Sequence, residues 1–189
     1  MDPRDAVMMA IQDEEQGTLH GRTLLQKRIY FASVLAKEEL GFRPHYYGPY
    51  SQTVADAVDS LVSNCFLAES IQSFPGDANL FGERERRRHS YSLTDDGEAV
   101  VKAMPKTDES DKWHEALQRV NSHPVAQDFN LLSVAAKVHV ILKDIREAPT
   151  SEIAHQAERY GWTLSKGDIE RVGEFLEYLD LVRRNVPGT

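Results

Sequence analysis

One cysteine in 189 residues, Cys65, has no partner for an internal disulfide, and no stretch approaches the about 18 apolar residues that span a bilayer. Basic residues are in the minority: 22 Lys and Arg face 30 Asp and Glu, for a net charge of -8. Non-specific nucleic-acid affinity comes from clustered cations, so this balance excludes a generic polyanion binder and leaves only a local basic patch as a route to nucleic acid. The N-terminus, MDPRDAVMMAIQDEEQG, has acids on both sides of a short apolar stretch and does not read as a secretory signal. A soluble, cytoplasmic protein with no membrane partner is expected. Gly-rich phosphate loops, HExxH and CxxC are missing too, and none of the seven histidines stands three or four residues from another, as two ligands on one helical face would. The chain is therefore read as a non-enzyme with no catalytic residues, no metal and no cofactor. Cys65, in an apolar run, reads as a small buried hydrophobe. His139, between Val138 and Val140, reads as a histidine at the rim of a core helix.

What remains is an ordinary globular composition, 41% hydrophobic and 28% charged, long enough for one compact domain or two small ones. Apolar spacing predicts a short helix from Pro3 to Asp13 and a longer one over TLLQKRIYFASVLAKEELG, stopped by Gly41. The aromatic segment FRPHYYGPYS, with two prolines, must turn. Ser51 then caps a third helix with Val54, Val58, Leu61 and Val62 on one stripe. Alternation in RRRHSYSL after a turn-rich insert predicts a β-hairpin, and Thr94 caps the helix that follows. Helix, helix, helix, hairpin, helix is the order of a winged helix-turn-helix, so a mainly α fold with a small hairpin is expected over residues 1–104.

Residues 105–189 read as an all-helical second domain. Its strongest pattern is Leu131, Val134, Ala135, Val138, Ile141, Leu142 and Ile145, a core helix through which a homodimer is expected. A helix capped by Thr150 or Ser151 and ended by Gly161, then one capped by Ser165, form a second helix, turn, helix pattern. The last helix matches the third at an offset of 115, pairing Val54 with Ile169, Leu61 with Leu176 and Phe66 with Leu181. Two related halves and two unrelated core-facing helices both account for that match.

Charge is unevenly placed. Residues 51–82 hold no Lys or Arg but contain Asp56, Asp59, Glu69 and Asp77, whereas 83–89 hold Arg84, Arg86, Arg87 and Arg88 against two Glu. In a winged helix those arginines fall on the second wing strand, within reach of phosphates or a narrow minor groove, with Lys27 and Arg28 as further nucleic-acid candidates. A soluble sheet edge uses the same pattern. The third helix argues against conventional base reading, because it brings Asp56 and Asp59 where a recognition helix offers cations or amides. The YYGPYS turn has three readings. It is a rigid corner between helices, a phosphate site at a helix N-terminus ringed by hydroxyls, or a partner-binding surface formed by Tyr46, Tyr47, Tyr50 and Ser51.

Leu25-Gln26-Lys27, Tyr47-Gly48-Pro49-Tyr50-Ser51 and the closing YSLTDDGEAV make residues 18–102 resemble the YwgA-like winged-helix family, and more distantly the SocA-like Panacea domain. The first resemblance implies a winged-helix fold linked to DNA binding or regulation. The second implies an antitoxin-type module that binds and neutralises a protein. Two functional expectations follow: a regulator contacting nucleic acid through the wing arginines, or a protein-interaction module acting without DNA.

Overall fold

The computed structural model describes residues 1–14, 16–74, 78–79, 82–83, 86–145 and 148–182. Helix α1 (Pro3–Gln12) starts at Asp2, whose carboxylate accepts the Arg4 backbone N–H, with proline in the first turn. Strand β1 (Thr18–His20) follows; three residues carry no detectable period, and the sequence gives no sign of it. Helix α2 (Arg22–Ala36) is shorter than expected because Lys37, not Gly41, takes the left-handed conformation (φ 60°) that ends it. Helix α3 (Gln52–Ser63) has the expected cap, Ser51 Oγ accepting the Val54 N–H at 3.1 Å.

The hairpin is present as β2 (Leu67–Phe74) and β5 (Arg86–Leu93), paired from Leu67 opposite Leu93 to Phe74 opposite Arg86. The short strands β3 (Ala78–Asn79) and β4 (Gly82–Glu83) pair with each other between them. β1 joins the other edge of β5, giving a three-stranded antiparallel sheet in the order β1-β5-β2. Helix α4 (Asp95–Ala103) starts at Thr94, whose hydroxyl accepts the Gly97 N–H. Gly97 lies so close to the β2 entry that a Cβ would run into the Phe66 carbonyl oxygen.

The remainder is helical: α5 (Asp108–Asn121), a 3₁₀ turn at Pro124–Gln127, α6 (Phe129–Ile145), α7 (Thr150–Arg159) and α8 (Lys166–Tyr178). Helix α7 is capped by neither Thr150 nor Ser151. Both lie inside it, after Pro149. Helix α8 is capped by Ser165 as expected. The ends of α3 and α8 close alike at the 115-residue offset: Cys65 (φ 62°) and Asp180 (φ 58°) turn left-handed, and the Phe66 N–H reaches the Leu61 carbonyl as the Leu181 N–H reaches that of Leu176, both at 2.9 Å. That position holds the Cys65 thiol outside, so the cysteine expected to be buried is exposed.

Helix α2 organises the core. Every residue from Leu24 to Ser33 is buried, because α1, α5 and α6 all pack on it. Leu25, Ile29 and Phe31 join Trp113 and Leu117 of α5 and Leu132 and Ala135 of α6 in one apolar cluster. The Phe31 ring meets Phe175 of α8 edge to face at 5.2 Å. Ala135, Val138 and Ile141 of α6 are buried within the chain, where the helix packs chiefly on α2 and α8, while Leu131, Val134 and Leu142 are half-buried. His139 is no rim residue: it is 4% exposed, and its Nδ1 lies 2.8 Å from the Tyr30 hydroxyl. Burial, with Lys143 adding to it, lowers the His139 pKa to about 4. Among the described residues no helix is long and apolar enough to cross a membrane.

Candidate functional site

The YYGPYS turn is held from three sides. Arg43 and Tyr50 exchange backbone hydrogen bonds at 2.9 Å, and the Gly48 N–H closes the turn on the His45 carbonyl at 2.9 Å. From α2, the Gln26 side chain brackets Ser51, donating to its carbonyl and accepting its N–H, both at 3.0 Å. From the C-terminal part, the Trp162 indole N–H donates to the His45 carbonyl at 2.8 Å. Gly48 has φ 94° and sits between Lys27 and Lys137, where a Cβ would come within 3.2 Å of each side chain.

On this support Tyr46 and Tyr47 stand out from the molecule, 67% and 56% exposed, their rings packed edge to face at 4.9 Å. Tyr50 is half-buried against His45, with ring centroids 5.3 Å apart. Ser51, expected to touch a partner, is completely buried: its hydroxyl donates to the Leu40 carbonyl and caps α3. That role removes it from any contact surface.

Lys27 and Arg28 also need correction. They are 2% and 1% exposed and cannot reach a phosphate at the surface. The Lys27 ammonium donates to the Pro49 carbonyl at 2.7 Å. Arg28 is a structural tie: it pairs with Glu14 and donates to the Ala126 carbonyl (3.3 and 3.2 Å) and to Gln127 Oε1 (2.9 Å). Burial lowers both cations, Lys27 to about 7 and Arg28 to about 10. Charges within a single apolar stripe read as surface charges, but α2 is covered all round. The one available signal was that Gln26, Lys27 and Arg28 interrupt an otherwise apolar run.

Of the hairpin arginines, Arg88 is exposed, opposite Gln72 in the ribbon. Arg86 and Arg87 continue that strand opposite Phe74 and Ser73; their side chains, and all of Arg84, lie outside the described residues. At the base of the β2–β5 hairpin is a group the sequence did not reveal. Glu69 Oε1 accepts from the Tyr91 hydroxyl (2.8 Å) and from Arg22 (3.2 Å), and lies 2.7 Å from His89 Nδ1. Burial alone would raise the Glu69 pKa, but the hydrogen bonds from His89, Tyr91 and Arg22 hold it below its ordinary value. The register of the hairpin, which sets Glu69 opposite Tyr91, was the information needed to find it.

Between α2, α3 and the tyrosine corner is a cavity of about 130 Å³, bordered by Tyr47, Tyr50, Leu25, Lys27 and Val58. Asp59 and Arg22 stand along it as well, which places the exposed acidic face of α3 beside the corner. Among the described residues no group of three or more His, Cys, Asp or Glu side chains is placed to hold a metal ion. Compared with known proteins, the chain matches no family model and no curated sequence.

Proposed function

We propose that the chain is a non-enzymatic winged-helix module that binds a protein partner through Tyr46 and Tyr47, as an antitoxin, an adaptor or a subunit of a larger complex does. The observation behind this reading is the exposed, edge-to-face tyrosine pair on a corner already fixed by Gln26, Lys27 and Trp162. Tyrosines give large contact area for little lost side-chain entropy, and a preformed corner avoids the cost of ordering a loop on binding. Asp56 and Asp59 are exposed on the adjoining α3, so the matching partner surface carries Lys or Arg. The order α1, β1, α2, α3, β2, β5, α4, with β1 against β5, supports the winged-helix assignment.

The test is purification from native cells of the parent chain and a Tyr46→Ala, Tyr47→Ala double variant. A stoichiometric protein that accompanies the parent and is lost from the variant is expected. Recovery of both chains alone refutes the reading. A nucleic-acid reading rests on a different observation, the exposed Arg88 on a two-stranded ribbon whose strand continues through Arg87 and Arg86. It requires duplex binding that weakens steeply with salt and disappears when Arg86, Arg87 and Arg88 become Ala. No duplex binding at low ionic strength eliminates it.

A further inference from the structure

The cavity behind Tyr47 has a specific chemical character. Leu25, Ala55, Val58 and the two tyrosines give it mainly apolar walls, and two buried polar side chains border it: Gln26, whose amide is engaged with the Ser51 backbone, and Lys27. An ammonium has three protons to donate. One goes to the Pro49 carbonyl, and among the described residues no carboxylate lies within ion-pairing distance of Lys27. A buried cation without an anion is costly, and here a second one, Lys137, stands across Gly48. Burial and then Lys137 account for the lowered Lys27 pKa of about 7.

Arg22 does not complete an anion site, since its guanidinium already serves Tyr91 (2.7 Å) and Glu69 (3.2 Å). A phosphate or sulfate would bring more acceptors than one lysine can satisfy, beside the Asp59 carboxylate. A single carboxylate on an apolar body fits both the buried Lys27 ammonium and the walls. The cavity's about 130 Å³ is close to the roughly 150 Å³ of an engineered cavity that holds benzene, which limits the ligand to about one ring or a short branched chain.

We infer that this cavity binds a small apolar monocarboxylate, its carboxylate paired with Lys27 and its body between α2, α3 and Tyr47. The inference does not depend on the partner reading. Binding is linked to protons: below pH about 7 the lysine is already charged, and above it each ligand must bring a proton, so affinity weakens up to tenfold per pH unit. The other titratable or charged groups bordering the cavity are Arg22, His45, Tyr47, Tyr50 and Asp59, with Lys137 on the far side of Gly48.

The experiment is calorimetric or ligand-detected NMR titration of the full chain with benzoate and its neutral isostere benzamide at pH 6.5 and 8.5. Benzoate is expected to bind at least tenfold tighter than benzamide at pH 6.5, and at least fivefold weaker at pH 8.5 than at pH 6.5. Lys27→Met should abolish the preference for benzoate, His45→Gln should leave the pH dependence intact, and Ala55→Leu should block both ligands by filling the space. The two unmodified-protein comparisons stand without any variant. Equal affinity for benzoate and benzamide, no binding of either, or a pH dependence lost in His45→Gln overturns the assignment.

Discussion

Replacing Arg28 with Met tests the central packing most directly. Methionine keeps most of the aliphatic stem and removes only the guanidinium, so the loss is electrostatic rather than a large cavity. What remains is a Glu14 carboxylate that is largely buried, together with the Ala126 carbonyl and Gln127 Oε1, both deprived of their donor. Removing one member of a buried pair costs about 3–5 kcal/mol, mostly because the other charge stays behind. Arg28→Met should lower unfolding free energy by that amount, read from urea denaturation followed by circular dichroism with the slope unchanged. Adding Glu14→Gln removes the abandoned charge and should restore about 1–2 kcal/mol. The Arg28 pKa, about 10, keeps it charged near neutrality, so the cost should be the same at pH 6 and pH 8. A single variant within about 1 kcal/mol of the parent, or a double variant no more stable than the single, would refute the assignment of Arg28 as the tie between α2 and the Pro124–Gln127 turn.

Three further outcomes are expected. Gly97→Ala should destabilise by about 1–3 kcal/mol in the same assay, because its methyl meets the Phe66 backbone rather than a movable side chain; an unchanged midpoint contradicts that contact. Cys65→Gly should stabilise by up to about 1 kcal/mol, since the residue is exposed at φ 62° and glycine carries no penalty there. His139 has a folded pKa of about 4 against about 6.5 unfolded, so the unfolded chain binds more protons between those values. Its stabilising effect is complete above pH 6.5 and declines by up to about 1.4 kcal/mol per pH unit as pH falls to 4. His139→Phe should flatten that part of the stability profile, and an identical profile in the variant argues against a buried neutral imidazole.

How legible the fold was depended on the length of the signal. Helices α3 and α6 were readable because a dozen or more residues repeat one stripe, and the caps at Ser51, Thr94 and Ser165 marked the starts of α3, α4 and α8 through residue chemistry alone. Strand β1 was not, since three residues show no period and the strand exists only because β5 offers an edge. The candidate site divided in the same way. Tyr46 and Tyr47 stand exposed at the turn that local composition marked. Lys27, Arg28 and Ser51 were misplaced because their burial is decided by segments up to about a hundred residues distant, such as Ala126 for Arg28. His139 was misjudged for the same reason, its partner being Tyr30.

A helix enclosed on all sides also has a history to answer to. Because α2 is covered partly by α1 and partly by α5 and α6, its residues are shared property of both ends of the gene. A recombination breakpoint near residue 104 would pair an α2 from one lineage with an α5 and α6 from another, whose side chains never adapted to it. Substitutions at Arg28 and Gln127, or at Phe31 and Phe175, are therefore expected to be inherited together.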